Sequence, residues 1–212
     1  MPPQRECVTI AHKKKGRCSD IKTICLGDSL TYGYGISPDD TWVTRAEEAL
    51  GGEWVNCGVC GDTTSGMLSR LSAEVLPQKP HYVLMTGGAN DILLTGSFQQ
   101  AQCAIMAMVH QCTHVGVRPV IGITVPIRGD GANPWLPLTD MRKAMAAQRE
   151  YTAWLRLFVK TMRLRCVDFA AAFASHPAPK SLYQEDGLHP NAAGHRLMAQ
   201  TLLESHIWRM ED

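Results

Sequence analysis

Short apolar runs rich in β-branched residues alternate along the chain with longer segments of helical periodicity. Each run has the length of a strand and ends near glycine, proline or a polar residue, which is typical of a buried strand. The runs cover residues 22–26, 53–57, 82–85, 119–125 and 165–169. This pattern predicts five strands.

Between the runs, apolar residues recur three and four positions apart, which predicts amphipathic helices. Strands that alternate with helices predict an α/β protein, a three-layer α/β/α sandwich around a five-stranded parallel sheet. Ligands bind such sheets at the carboxyl ends of the strands, so the loops after the runs are the places to search for a site. The helical positions are Trp42, Ala46, Ala49, Leu50; Met67, Leu68, Leu71, Val75; Ile105, Met108, Val109; Tyr151, Trp154, Leu155, Phe158, Val159; and Leu197, Met198, Thr201, Leu202.

Size and composition are those of a soluble globular protein. The 212 residues are 45% hydrophobic and 19% charged, with a net charge of +1, which gives no indication of a nucleic-acid surface. No segment has the length of apolar sequence that spans a bilayer. We predict a polar lead-in over residues 1–20 and a single domain over 21–212. The oligomeric state does not follow from the sequence.

The first twenty residues and the cysteines indicate the cellular compartment of the protein. The opening segment is polar and basic and lacks the apolar centre of a secretory signal, which predicts a cytoplasmic protein. An exported form with a trimmed leader is the alternative. Most of the eight cysteines lie in apolar segments, where a free thiol acts as a small hydrophobe, so we expect unpaired thiols in a reducing compartment.

Two spacings could indicate a metal. Cys57 and Cys60 form a Cys-x-x-Cys pair, but there is no second pair and no suitable histidine nearby. His110 and His114 stand one helical turn apart without the glutamate of a metalloprotease helix. We predict neither a metal nor an organic cofactor, and we leave open whether Cys57 and Cys60 have a role.

Four loops after predicted strands carry the residues that acyl transfer to a serine requires. Ser29 follows the first run, and a serine nucleophile needs an adjacent base. His189 can act as that base, with Asp186 three residues earlier to orient its ring. Gly61 and Asn90 are candidate donors to an oxyanion. Each motif alone has an ordinary explanation as a turn or helix cap, but their order and common placement favour one site.

These loops are GDSLTYGYG, NCGVCGDT, GGAND and DGLHPN, and with them the sequence resembles the SGNH hydrolases, also called the GDSL esterase/lipase family. The match runs from residue 23 to about residue 202. It is most similar to the bacterial branch of thioesterase/lysophospholipase and arylesterase enzymes. The resemblance implies a three-layer α/β/α fold with a five-stranded parallel sheet.

The resemblance also implies a role for each motif residue. Ser29 would be the nucleophile and would give one oxyanion N–H, Gly61 a second N–H, and Asn90 its side-chain amide. His189 would be the general base and then the acid, and Asp186 its orienter. Asp28 also matches the motif, and we interpret it as support for the turn that presents the serine.

We therefore predict a serine hydrolase that cleaves carboxylic esters or thioesters of small to medium acyl groups through an acyl-enzyme. Leu93, Leu94, Trp135 and Leu136 favour an apolar acyl group, and the loop 127–139 is a candidate substrate-facing segment. One alternative is a carbohydrate O-acetylesterase, since the family also deacetylates sugars. A flavodoxin-like binding domain is a further alternative, but the first loop lacks the serines and threonines that would bind a flavin phosphate.

Overall fold

A six-stranded sheet forms the centre of the molecule. The structure, a computed structural model, describes residues 8–9, 20–131, 138–205 and 207–208. Strands β2 to β6 form the predicted five-stranded parallel sheet, and the structure gives their order as β3-β2-β4-β5-β6. Their bounds are β1 Val8–Thr9, β2 Lys22–Gly27, β3 Glu53–Gly58, β4 Tyr82–Thr86, β5 Arg118–Ile123 and β6 Arg165–Asp168.

The additional strand β1 pairs antiparallel with the free edge of β3. It lies within the range 1–20 that the sequence predicts as a polar lead-in, and a strand of two residues carries too little periodicity to be recognised. The division of the chain into that lead-in and a single domain over 21–212 stays a prediction.

Eight helices connect and cover the described strands. The periodic segments correspond to α2, α3, α5, α6 and α8, and α3 continues through a π-helical turn at Leu71–Val75. Three short helices were not predicted, because one or two turns show too little of the helical period. The bounds are α1 Ser29–Tyr32, α2 Trp42–Leu50, α3 Thr64–Arg70, α4 Ala89–Thr95, α5 Gln99–His114, α6 Met141–Met162, α7 Phe169–Ser175 and α8 Ala192–Glu204.

Two apolar layers separate the sheet from the helices on its faces. Alternate residues of one strand face opposite layers, so that Ile24 and Leu26 join one cluster and Cys25 the other. Residues of α3, α5 and α6 complete the first cluster, and residues of α2, α7 and α8 complete the second. This arrangement confirms the predicted three-layer sandwich. None of the helices in the described ranges is long and apolar enough to cross a membrane.

Strands β2, β3 and β4 end at the same level. Gly27, the last residue of β2, pairs with Gly58 on one side and Thr86 on the other. The segments that follow these residues therefore begin at one edge of the sheet and carry Ser29, Gly61 and Asn90 respectively. The predicted convergence of these loops follows from this register.

The last two strands differ slightly from the prediction. Strand β5 covers Arg118–Ile123, and β6 ends at Asp168. Phe169 begins α7, because the Asp168 carboxylate accepts the Ala171 N–H at 2.8 Å and caps the helix. Trp135 and Leu136, which the sequence suggests for acyl binding, lie outside the described residues.

Candidate active site

Ser29 is the first residue of a one-turn helix, where the sequence suggests only a turn. Asp28 caps this helix, because its Oδ1 accepts the Leu30 N–H at 2.9 Å. Gly33 ends the helix in the left-handed region, at φ +85°. The cap confirms that Asp28 supports the local backbone that presents Ser29, whose side chain is largely buried.

Ser29, His189 and Asp186 form a continuous hydrogen-bonded chain. Ser29 Oγ lies 2.9 Å from His189 Nε2, and His189 Nδ1 lies 2.5 Å from Asp186 Oδ2. Asp186 Oδ1 also accepts the backbone N–H groups of Leu188 and His189 at 2.9 and 3.0 Å. With its Nδ1 proton directed at a carboxylate, the imidazole presents Nε2 as an acceptor to the serine hydroxyl.

The Asp186 carboxylate is stabilised in its charged form. Burial raises the pKa of Asp186, but the hydrogen bonds from the His189 ring and from the Leu188 and His189 backbone outweigh burial and lower the net pKa. A charged Asp186 keeps the His189 ring in one tautomer and orientation.

The loop after β5 packs on the segment that carries Asp186. The backbone N–H of Arg128 donates to the Gly187 carbonyl at 3.0 Å. At Gly131 a Cβ atom would lie 2.2 Å from the Asp186 carbonyl oxygen, so only glycine allows this approach. The described part of the candidate substrate-facing loop thus also fixes the position of Asp186.

Tyr34 and Gln184 lie beside the histidine and were not identified from the sequence. The Tyr34 ring lies 4.5 Å from the His189 ring, centroid to centroid. The Gln184 amide donates to the backbone carbonyls of Tyr34 and Pro190 at 2.7 and 3.1 Å. These contacts link the segment after Ser29 with the segment that carries His189, and backbone acceptors leave no signal in a sequence.

The three groups that the sequence suggests as oxyanion donors each keep an N–H without an acceptor in the described part of the chain. In the described part of the chain, the N–H groups of Ser29 and Gly61 have no acceptor. Gly61 has φ +79°, and a Cβ added there would meet open space. One N–H of the Asn90 amide donates to the Asp62 carbonyl at 2.8 Å, which leaves its other N–H for a ligand.

The sequence suggests that Asn90 lies in a loop. In the structure it lies in the first turn of α4. Gly88 precedes α4 at φ +107°, and a Cβ there would lie 2.4 Å from the Tyr151 ring. Asp91, the next residue along α4, accepts the backbone N–H and the hydroxyl of Thr64 at 3.0 and 2.7 Å. The helix that carries Asn90 is therefore fixed to its neighbours on both sides.

Asp28 is a buried acid immediately before Ser29. Its Oδ2 has no hydrogen-bond partner in the described part of the chain. Burial raises the pKa of Asp28 to about 7; the Leu30 N–H opposes this shift, and the negative charges of Asp62 and Asp91 add to it. Asp28 thus retains its proton far above the usual range of a carboxyl group.

The expectation of unpaired thiols is wrong for Cys57. This residue is disulfide-bonded. Cys57 lies on β3, and β1 pairs with the outer edge of that strand. Cys60 is free and exposed, and Cys25, Cys103, Cys112 and Cys166 are free as well.

His110 and His114 are exposed on α5. Within the described ranges, no group of three or more His, Cys, Asp or Glu side chains could hold a metal ion. Neither Cys-x-x-Cys nor the histidine pair therefore contributes to a metal site built from described residues.

Comparison with known proteins agrees with this geometry. The chain is 27% identical over 191 residues to "Esterase TesA" of Pseudomonas aeruginosa, and the aligned region covers 87% of this chain and 85% of that protein. It is 27% identical over 175 residues to "Thioesterase 1/protease 1/lysophospholipase L1" of Escherichia coli K12, covering 79% and 74%. The crystal structure of the lipase/acylhydrolase from Enterococcus faecalis superposes with a TM-score of 0.72 at 26% identity, covering 88% and 95%.

Residues 25–197 match the GDSL-like Lipase/Acylhydrolase family. This match and the named relatives confirm the predicted esterase/lipase class, and with it a small-molecule ester as substrate. The chain belongs to the GDSL-like lipase/acylhydrolase family of ester hydrolases.

Proposed function

We propose that this enzyme hydrolyses carboxylic esters or thioesters of small to medium acyl groups with Ser29 as nucleophile. The observation that carries the proposal is the hydrogen-bonded chain from Ser29 Oγ through His189 to Asp186. A serine hydroxyl is a weak nucleophile on its own, and a hydrogen-bonded imidazole oriented by a carboxylate activates it.

In the proposed reaction, Ser29 Oγ attacks the carbonyl carbon of the ester while His189 Nε2 accepts the hydroxyl proton. Asp186 stabilises the imidazolium that forms, at 2.5 Å from Nδ1. His189 then donates the proton to the leaving alcohol or thiol, which leaves an acyl-enzyme. A water molecule, deprotonated by the same histidine, hydrolyses the acyl-enzyme and regenerates Ser29.

The carbonyl oxygen becomes an oxyanion in each tetrahedral intermediate. We assign its stabilisation to the backbone N–H groups of Ser29 and Gly61 and to the side-chain amide of Asn90. These three donors are consistent with the role because each has an N–H without an acceptor in the described part of the chain. Donors placed before charge develops lower the barrier without reorganisation.

An apolar acyl group suits the surface next to Asn90. Leu94, at the other end of the same helix, is 74% exposed, and Leu138 is 80% exposed. The Thr139 hydroxyl donates to the Leu93 carbonyl at 3.2 Å and brings these two segments together. Exposed leucines at one place favour an aliphatic ligand over a sugar. The net charge of +1 supports the further prediction that no nucleic acid takes part.

A panel of nitrophenyl esters and thioesters of increasing chain length, set against an acetylated sugar, distinguishes the main proposal from the carbohydrate O-acetylesterase alternative. Faster turnover of the aliphatic substrates supports the main proposal. Preference for the acetylated sugar supports the alternative and leaves the assignment of Ser29 unchanged.

The identity of the nucleophile is tested with a fluorophosphonate probe, whose phosphorus is attacked by an activated serine as fluoride leaves. Intact-mass analysis and peptide sequencing should place one adduct on Ser29. Ser29→Ala should lose nearly all ester hydrolysis and all labelling. Ser175→Ala, at an exposed serine at the end of α7, is the matched control and should match the wild type. Undiminished hydrolysis by Ser29→Ala would rule out the mechanism.

The location of the enzyme is a separate proposal. The sequence predicts a cytoplasmic protein, with an exported form as the alternative. The disulfide at Cys57 favours export, because disulfides persist in oxidising compartments. Fractionation of the native host, with the protein detected in the cytoplasm or outside it, decides between the two.

A further inference from the structure

Arg70, at the end of α3, is an almost buried cation behind the proposed oxyanion donors. Its side chain is 12% exposed, and its Nε lies 2.9 Å from Asp62 Oδ2. Its Nη2 donates to the carbonyls of Gly27 and Cys57 at 3.0 and 2.8 Å. One guanidinium therefore contacts three separate segments.

Two of these segments are the ends of adjacent strands. Gly27 ends β2 immediately before Asp28 and Ser29, and Cys57 lies near the end of β3 before the loop that carries Gly61. A single nitrogen bonded to both carbonyls fixes the distance between these strand ends. The two proposed backbone donors, on Ser29 and Gly61, follow directly from them.

The third segment connects Arg70 with Asn90. The Asp62 side chain is bonded to Arg70, and the Asp62 backbone carbonyl accepts the Asn90 amide at 2.8 Å. Gly66 makes room for this pair, because a Cβ there would lie 1.9 Å from Asp62 Oδ1. Displacement of the Asp62 side chain would therefore displace the acceptor that orients the Asn90 amide.

We propose that Arg70 is the positioning residue of the oxyanion hole, acting through the carbonyls of Gly27 and Cys57 and through Asp62 on all three donors. This inference rests on the proposed function. Its physical basis is the planar fork of the guanidinium, which can bond several fixed acceptors at once, whereas a lysine ammonium is a single point charge on a flexible stem.

The first test is Arg70→Lys, which keeps the charge and removes the fork. The oxyanion exists only in the transition state and the intermediates, so misplaced donors lower kcat and leave ground-state binding unchanged. We expect kcat for a nitrophenyl ester to fall on the order of tenfold to a hundredfold, with KM within about threefold of the wild type. Steady-state kinetics well below the melting temperature provide both constants.

A double-mutant cycle with Asn90→Ala separates positioning from a general loss of stability. Asn90→Ala alone should lower kcat on the order of a hundredfold. If Arg70 acts partly through Asn90, Arg70→Lys costs less in the Asn90→Ala background than in the wild type. Equal costs in the two backgrounds would overturn the link from Arg70 to Asn90.

The matched control is Arg156→Lys. Arg156 also bonds an aspartate at a strand end, Asp168, at 2.7 and 3.3 Å, but it lies on α6 away from these donors. We expect its kcat and KM to equal those of the wild type. A kcat loss equal to that of Arg70→Lys would show that the effect is not specific to the site.

Gly66→Ala perturbs the same pair from the other side and decides the matter if Arg70→Lys does not fold. The added methyl group requires Asp62 to move away from Arg70, so we again expect a lower kcat with KM retained. Wild-type kcat in the folded variant overturns the proposal. Ser29→Ala, assayed in parallel, tests the proposed function separately from the role of Arg70. If Ser29→Ala is inactive while the Arg70 variant is fully active, only the inference about Arg70 fails.

Discussion

At the scale of the residue, Asp28 combines two tasks that oppose each other. One carboxyl oxygen caps the helix that begins at Ser29, and the other has no partner in the described part of the chain. A buried carboxyl without a second partner is destabilised in its charged form. The cap is required for the local backbone, so this position has a cost that depends on pH.

Asp28→Asn should make the stability of the protein less sensitive to a rise in pH from 4 to 7. The unfolded chain releases this proton near pH 3.8, whereas the folded protein retains it to about pH 7. The free energy of unfolding therefore falls as pH rises between these values, by as much as roughly 4 kcal/mol. The asparagine oxygen can still accept the Leu30 N–H. Relative to the wild type, the variant should gain stability as pH rises from 4 to 7 in urea unfolding.

The charged and titratable groups that face Asp28 are present in both proteins; they are Asp62, Asp91, Cys60 and Tyr151. Asp39→Asn, at an exposed carboxyl, is the control and should show a constant difference from the wild type. A constant difference for Asp28→Asn as well would contradict the prediction.

At the scale of the element, helices α2 and α8 meet through a buried histidine. His195 on α8 is 1% exposed, and its Nδ1 accepts the Trp42 N–H at the start of α2 at 3.2 Å. Burial lowers the pKa of His195 to about 4; Arg45 and His189 lower it further, and Asp40 opposes them. The contact requires a neutral ring, because a protonated Nδ1 cannot accept a hydrogen bond.

The His195 contact should make the protein sensitive to acid. The contribution of neutral His195 is present above pH 6.5 and is lost as pH falls toward 4, a change of roughly 3 kcal/mol. His195→Asn keeps an acceptor for Trp42 but does not titrate. It should be less stable than the wild type at pH 7, and the deficit should shrink as pH falls to 4.

Thermal or urea unfolding across this pH range provides the comparison. His110→Asn, at an exposed position on α5, should track the wild type at every pH. A deficit of His195→Asn that stays constant from pH 7 to pH 4 would contradict the prediction, because it would mean that folding leaves the pKa of His195 unchanged.

At the scale of the whole molecule, a disulfide bond at Cys57 adds a covalent restraint to the fold. Cys57 lies on β3 near the loop of Gly61. A disulfide stabilises a fold mainly by restricting the unfolded chain, typically by about 2–4 kcal/mol. Reduction should therefore destabilise the folded protein.

We expect a reductant to lower the melting temperature of the wild type by several degrees and to leave that of Cys57→Ser unchanged. Alkylation of the denatured protein before reduction should leave Cys57 unmodified, and mass spectrometry after reduction should show it labelled. Labelling of Cys57 without reduction would contradict the disulfide. Cys103→Ser, at an exposed free cysteine, should respond to reductant as the wild type does.

The sequence by itself determined the parallel sheet, its helical layers and the motif residues. Periodicity identifies buried strands and amphipathic helices because burial of apolar side chains drives both. The triad residues could be named because their chemistry belongs to their side chains. Ser29 and His189 are 160 positions apart, but Ser29 closely follows a predicted strand and His189 lies just before the last predicted helix.

Only the tertiary structure decided how these residues are supported. Arg70 and Gln184 donate to backbone carbonyls, which every residue carries, so no residue type marks the acceptors. The short helices α1 and α4 carry Ser29 and Asn90. Helix α1 begins at the end of β2 with Asp28 as its cap, and α4 begins after Gly88, which lies against the Tyr151 ring. Contacts between distant segments depend on the folded geometry, and local pattern does not contain that geometry.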